Sequence, residues 1–264
     1  MKKISIITIT FNCEKVVENT INSVINQTYS NVEYLIIDGN SKDNTIKIIN
    51  QYKNHIDYFI SEKDKGIYDA MNKGIKQASG EWIIFMNAGD IFVDNDVLKR
   101  CVPYLLNMND IVYGNTIVHS RYGDYKELPL SLEKLNNRMI FCHQSCFIKS
   151  SYHKQHLYDI SFKSSGDLDF FYKAYKRDQC IFKSIPETIS YFDATEGVSS
   201  TNFYRPKLEN LRIYNKDKNI FAIINVYISS SISYCRFKFK KALPVFVLNY
   251  INSRKYKKIS SVKS

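Results

Sequence analysis

The sequence predicts an α/β protein, a wound mixed sheet with helices on both faces, followed by a basic helical C-terminal extension. Three observations predict it. Short β-branched runs alternate with segments of helical period through the first 86 residues, each run ends in a small polar turn, and positive charge is concentrated after Tyr204. Continuous apolar strands alternating with helices imply parallel pairing, because such strands are buried on both sides.

The elements follow in order. Residues 3–10 form the first strand, ending at Phe11-Asn12, and residues 14–26 carry Val16, Val17, Ile21, Val24 and Ile25 at helical spacing. Residues 32–37 are a second apolar strand; Asp38-Gly39-Asn40-Ser41 turns, and Asp43 or Asn44 caps a helix holding Ile46, Ile48 and Ile49. A third strand covers 58–61, a helix covers 67–78 and stops at Ser79-Gly80, and a fourth strand covers 82–86. The turn Asn87-Ala88-Gly89-Asp90 then lies at the carboxyl end of the sheet, where open α/β folds bind ligands. Beyond Asp110 the pattern predicts strands at 111–119, 127–128 and 142–148, a short helix at 132–138 and a helix at 167–177. The absence of a linker or repeat before residue 203 makes 1–203 one domain, with halves of about 1–110 and 111–203, and leaves 204–264 as the extension.

Composition is that of a globular protein, with 44% hydrophobic and 24% charged residues. The six cysteines show neither paired CxxC spacing nor a second pair for a zinc site, so they read as free thiols in a reducing compartment. The apolar start after Met1-Lys2-Lys3 is short, carries Ser5 and Thr8 and lacks a small-residue cleavage site, which favours a buried first strand over a signal peptide.

The net charge of +11 is unevenly placed: from Tyr204 onward 14 Lys and Arg face two acids, Glu209 and Asp217, and the rest of the chain is nearly neutral. Basic residues in an apolar tail outside the sheet argue against nucleic acid and for an anionic membrane surface, each nearby Lys or Arg contributing about 1 kcal/mol. The weakly polar run 220–234 is shorter than the ~20 residues of a spanning helix, so an interfacial segment is expected, with a packed helix pair as the alternative. The expected location is cytoplasmic, peripheral at the inner face of the plasma membrane.

Chemistry gathers at the strand ends. Asp38, with Ser41, follows a buried strand where a carboxylate can bind a nucleobase or ribose, while Asp43 and Thr45 read as turn and cap. Asp69 and Asn72 share a helix face and can position a ribose, although capping or solvation also explains either one. Asp90, a lone carboxylate after WIIFM, is poorly explained by packing and well explained by Mg²⁺ or Mn²⁺, which takes one or two carboxylates and completes its shell with phosphate oxygens. Such an ion neutralises a diphosphate leaving group.

The segments SIITITFN, DGNSKDNT, IYDAMNKGI with ASGE, and FMNAGD, in this order, resemble the family 2 glycosyltransferases of the GT-A fold, in particular bacterial members that build surface polysaccharides. The resemblance spans roughly the first 200 residues. It implies a GT-A-like, Rossmann-type sheet and an inverting transfer from a nucleotide diphosphate sugar, UDP-linked by preference, to a hydroxyl of a carbohydrate that can be held on a polyprenyl diphosphate. By it, Thr10 and Glu14 lie beside the nucleoside, Asp38 contacts the base, and Asp90, with Asn87 beside it, holds a metal bound mainly through the donor diphosphate. SSGDLDFF resembles the segment that supplies the catalytic base, Asp167, with Asp169 as the rival that cannot share its helix face.

His143-Gln144 resembles an acceptor-side or diphosphate-side motif, although an isolated histidine is ordinarily structural, and Glu196 to Ser200 resembles a loop that closes over the diphosphate. The chain departs from the family at Asn87, Gly39 and Gly166, where relatives carry acids. His55, His119, His153 and His156 show no metal-ligand spacing. Competing readings are a sugar nucleotidyltransferase, whose glycine- and arginine-rich phosphate loop is absent, and a non-catalytic carbohydrate-binding or scaffold protein.

Overall fold

The computed structural model describes residues 1–120, 123–194 and 204–242. Strands β1 (Ile4–Thr10), β2 (Val32–Asp38), β3 (Tyr58–Ser61) and β4 (Trp82–Phe85) run parallel, with β1 between β2 and β4. Every residue of β1 is buried because both faces are covered, as expected of a buried first strand. Ile7 and Ile9 enter one core with Leu35, Ile37 and Phe85, while Ile4 and Ile6 enter the other with Ile36 and Ile84.

Helices α1 (Val17–Ile25) and α2 (Thr45–Gln51) cover the second face, and α3 (Ile67–Gln77) covers the first. The chain leaves β1 toward β2, and returns from β3 through α3 to the opposite side of β1. That reversal opens a crevice between the loops after β1 and β4, the place where doubly wound sheets take ligands.

The second half makes the sheet mixed. β5 (Ile91–Phe92), α4 (Val97–Cys101), β6 (Ile111–Ser120), β7 (Gly123–Glu127), β8 (Cys146–Lys149), α5 (Ser150–Gln155), α6 (Gly166–Lys176) and β9 (Phe182–Asp193) follow. The strand order is β3-β2-β1-β4-β8-β6-β9-β5, and β7 pairs with β6. β8 is antiparallel to both β4 and β6, and β9 is parallel to β6.

Two expected elements differ. The strand at 142–148 starts only at Cys146, because His143–Ser145 form a 3₁₀ turn whose Ser145 hydroxyl is held by Thr116, Ser190 and the Asn115 carbonyl. The helix at 132–138 is a 3₁₀ turn, Leu132–Asn136, with Leu135 as its one buried side chain, too little apolar surface to carry a longer helix. β9 lacks a clean two-residue period because its pairing with β6 slips between Tyr113 and Thr116, beside Pro186.

The extension starts with α7 (Arg205–Ile213), which docks on the sheet domain. Glu209 accepts the backbone N–H groups of Lys163, Ser164 and Ser165, each at 2.9 Å, and so holds the loop that leads into α6. Ile213 is buried, and Tyr214 meets Tyr172 edge-on at 5.2 Å. α8 (Ile220–Ala242) packs on α7 through Tyr227 against Tyr204 and through Ser229, which accepts from Lys207 Nζ at 3.1 Å. Ile220–Phe239 is long and apolar enough to cross a membrane by length and composition, where the sequence reading had its apolar run too short. Residues 196–200, expected to close over a diphosphate, lie outside the described residues, as does the end of the tail.

Candidate active site

Thr10, Asp38 and Ser61 stand level at the ends of β1, β2 and β3. Asp38 is fully buried, and both its oxygens are occupied: Oδ1 accepts from Thr10 Oγ1 at 2.9 Å and Ser41 Oγ at 2.5 Å, Oδ2 from Ser41 N at 2.9 Å and Ser61 Oγ at 2.6 Å. A carboxylate with four donors has no lone pair left for a base. Asp38, Thr10 and Ser41, expected beside the nucleoside, form with Ser61 a knot that ties three strand ends together. Ser41 also accepts the Asn12 N–H at 2.8 Å, fixing the loop after β1. Glu14 braces that loop by accepting the Asn44 backbone and side-chain N–H groups at 2.9 and 2.8 Å.

The carboxylate at the rim is Asp64. A Cβ on Gly39 would fall 2.5 Å from Asp64 Oδ2 and 3.2 Å from the Phe11 ring, so the missing side chain at 39 is what leaves room for Asp64. Asp64 Oδ1 accepts the Gly66 N–H at 2.8 Å, and Phe11 is 62% exposed, an unusual setting for an aromatic ring next to a sheet end. Asp69, expected near the ribose, accepts the Lys65 N–H at 3.0 Å and lies 3.8 Å from Lys73, which makes it a cap for the start of α3.

The loop 87–90 rises at the crevice between β1 and β4. Asp90 is buried, and its Oδ2 accepts Gln144 Nε2 at 2.9 Å. Burial pushes its carboxyl up to about 7, the Gln144 hydrogen bond opposing this and the charge of Asp193 adding to it. Gln144 Oε1 accepts the Cys142 thiol at 2.8 Å, so the amide has one orientation. The pairing of Ile91 with Tyr191 brings Asp193, at the end of β9, alongside this loop. Asn87 Oδ1 is buried without a partner, an acceptor left for something else.

Among the described residues no three His, Cys, Asp or Glu side chains converge on a metal. The orphaned Asn87 oxygen and the Asp90 carboxylate are nonetheless the hard oxygen donors that Mg²⁺ or Mn²⁺ takes when phosphates supply the rest of its shell. The residues fit such an ion.

Asp167 opens α6 and accepts the Tyr68 hydroxyl at 3.2 Å on Oδ1. Burial raises its carboxyl above the ordinary aspartate range, and the Tyr68 hydrogen bond pulls it back. Gly166 explains itself here: a Cβ there would lie 2.8 Å from the Tyr68 ring. Asp169 points elsewhere, pairing with Lys173 at 2.6 Å in a separate cleft with Tyr152 and His156.

Asn72, expected to position a ribose, and His143, expected on the acceptor or diphosphate side, both hold protein partners. Asn72 spends both ends of its amide on the backbone of Tyr158, at 2.8 and 2.9 Å. His143 is buried, stacked on Phe85 at 5.1 Å and bonded through Nε2 to the Tyr158 hydroxyl at 2.8 Å, and burial lowers its pKa to about 4. Tyr158 in turn packs on Tyr68 at 5.5 Å. His143 and its neighbours thus form an aromatic block with Gln144 and Asp90 at one end and Tyr68 and Asp167 at the other.

The sequence reading assigned no role to Tyr68, Asp64, Asp193 or Glu209. Tyr68 was within sight, inside IYDAMNKGI beside residues that were singled out. Glu209 carried no local signal, since its partners are 44 to 46 residues away.

A reversing parallel sheet with antiparallel additions, and carboxylates on separate loops over its carboxyl edge, is the architecture of the GT-A fold. The chain belongs to glycosyl transferase family 2, whose profile matches residues 5–178. It is 28% identical over 206 residues to a PGL/p-HBAD biosynthesis glycosyltransferase of Mycobacterium bovis, covering 75% of this chain and 79% of that one. It is 35% identical over 113 residues to the Escherichia coli UDP-Glc:alpha-D-GlcNAc-diphosphoundecaprenol beta-1,3-glucosyltransferase WfgD, covering 42% and 45%. S. aureus TarS 1-349 in complex with UDP-GlcNAc has the same fold, with a TM-score of 0.66 at 19% identity over 95% of this chain and 79% of that one. The mannosyltransferase PcManGT of Pyrobaculum calidifontis, in complex with GDP-Man and Mn2+, superposes with a TM-score of 0.58 at 12% identity over 97% and 80%.

Proposed function

We propose that the protein transfers a sugar from a uridine diphosphate sugar to a hydroxyl of a lipid-linked carbohydrate, with inversion, in bacterial surface-polysaccharide synthesis. The observation that carries this reading is the placement of Asp90 and Asp167 at opposite ends of one aromatic block, one on the loop after β4 at the carboxyl edge of the sheet and the other at the start of α6. WfgD, by its name, uses UDP-glucose and a diphosphoundecaprenol-linked acceptor, which supports the same substrate classes here.

In this reading Asp167 accepts the proton of the acceptor hydroxyl while that oxygen bonds to the anomeric carbon, and the bond to the diphosphate breaks on the opposite side. Asp90 and Asn87 would hold a divalent Mn or Mg ion, with the donor's phosphate oxygens as its other ligands; bound there, the ion neutralises the leaving group. The exposed face of Phe11 would stack on the base, and Asp64 would accept its imide N–H, the work expected of Asp38.

The acceptor would be reached at the inner face of the plasma membrane. Phe221, Ile224, Ile228, Ile232 and Phe239 are exposed at helical spacing on the side of α8 away from α7, with Arg236 and Lys238 flanking them. An apolar stripe between cations fits an anionic lipid interface. Packing of its other face on α7 favours a helix lying on that surface over one crossing it.

The test is thermal stability with UDP, GDP, UDP-glucose and UDP-GlcNAc, each with and without Mn²⁺. Uridine compounds should raise the midpoint, more so with Mn²⁺, because a ligand specific to the folded state stabilises it. The absence of any nucleotide effect would overturn the reading. Asp167→Asn should keep the donor-induced shift and lose transfer by about 10²- to 10⁴-fold.

A further inference from the structure

We propose that Tyr68 is the positioning residue for the base, donating its hydroxyl to Asp167 Oδ1 so that Oδ2 is the oxygen turned to the acceptor. The proposal rests on the reading of Asp167 as the base, and deepens it. Its ground is geometric. The Tyr68 hydroxyl lies 3.2 Å from Asp167 Oδ1, and the Tyr68 ring is 6% exposed. That ring is held from two sides, against Gly166 and at 5.5 Å from Tyr158. Tyr158 is itself fixed by both hydrogen bonds to Asn72 and by His143.

A carboxylate at the first turn of a helix has two rotatable bonds between it and the backbone, and a donor on one oxygen removes that freedom. Positioning of this kind matters because an error of about 1 Å at the reacting atoms costs roughly 10²-fold in rate. Gly166 has its explanation in the same contact, since any larger residue would push the ring away from the carboxylate.

The hydroxyl also sets how readily Asp167 gives up its proton. Burial and, to a lesser degree, the nearby charge of Glu209 from α7 favour the neutral acid, whereas the Leu168 backbone N–H and then the Tyr68 hydroxyl favour the carboxylate. Tyr158, the other ionisable group facing Asp167, stays neutral because burial holds its proton. Tyr68 keeps its own proton for the same reason, burial first and the Asp167 charge second. The hydroxyl therefore remains a donor, and the acceptor's proton ends on Asp167.

The experiment follows the Asp167 carboxyl carbon by NMR in protein labelled at aspartate Cγ, with Asp167→Asn to assign the signal. Tyr68→Phe keeps the ring on Gly166 and Tyr158 and removes only the hydroxyl. Its Asp167 signal should titrate at higher pH, by about half a unit or more, since a lost hydrogen bond to the charged form disfavours that form. The turnover number for UDP-glucose or UDP-GlcNAc with Mn²⁺ should fall by about 10- to 100-fold with the donor KM unchanged, and the acidic limb of the rate profile should move upward with the titration. An unmoved Asp167 titration in folded Tyr68→Phe would overturn the proposal, whatever the turnover. Full turnover by Asp167→Asn would instead overturn the base assignment, so the two failures are distinguishable.

Discussion

Gln144 donates to Asp90 Oδ2 at 2.9 Å while its own Oε1 accepts the Cys142 thiol at 2.8 Å, so one side chain fixes the orientation of the carboxylate at the crevice. A neighbouring histidine drew notice in the sequence, yet His143 is packed into the core and Gln144 faces the site. Gln144→Met keeps the length and removes the donor. Asp90 should then hold its proton to still higher pH, and binding of UDP with Mn²⁺ at pH 7 should weaken by about tenfold, roughly the 1.4 kcal/mol of one charged hydrogen bond. Calorimetry at pH 7 and at pH 8.5 checks this, with the defect expected to shrink at the higher pH.

Asp90 is predicted to cost stability when its charge is uncompensated. Its folded pKa of about 7 lies above the unfolded value, so the native state holds the extra proton between those values, and its contribution to stability declines as pH rises through 7. Asp90→Asn should therefore stabilise the metal-free protein at pH 8, by up to about 4 kcal/mol, and gain little near pH 4. Urea unfolding of both proteins across that range is the measurement. Donor binding should be lost in the same variant.

The buried histidines predict the opposite slope. Burial lowers His143 to about 4 and His153 to about 3, so the unfolded chain takes up protons that the native state refuses. Stability is present above about 6.5 and lost as pH falls toward those values, by roughly 2 kcal/mol per histidine at pH 5. His153→Leu should lose less stability than the parent between pH 7 and pH 5. Comparing the two proteins at each pH cancels the contribution of Asp90.

For the extension, Ile228→Glu places a charge in the middle of the exposed stripe of α8 without touching its packing on α7. Sedimentation with vesicles of phosphatidylglycerol and phosphatidylcholine should show the parent bound and the variant free, with binding by the parent falling as salt increases. Equal binding by both would remove α8 from the membrane contact.

Residues 3–86 were legible because each strand is covered on both faces by helices of nearby sequence, so local hydrophobic pattern and fold agree. The second half was less so. Its strands pair across long separations, β6 with β9 through a slipped register, and a pattern of period two does not survive a bulge. The family and its fold followed from motifs whose order and spacing are visible in the sequence.

Which carboxylates are open was a different matter. Asp38 and Asp64 look alike in the sequence, but only the register of three strands shows that Thr10, Ser41 and Ser61 all donate to Asp38 and leave it nothing to offer. The same holds for Asp167 and Asp169, two residues apart, one turned to Tyr68 and the other to Lys173. Sequence determined where acids sit along the chain and that the sheet edge would collect them. Tertiary structure alone decided which of them are spent, because a hydrogen bond between residues far apart in sequence leaves no trace in local pattern.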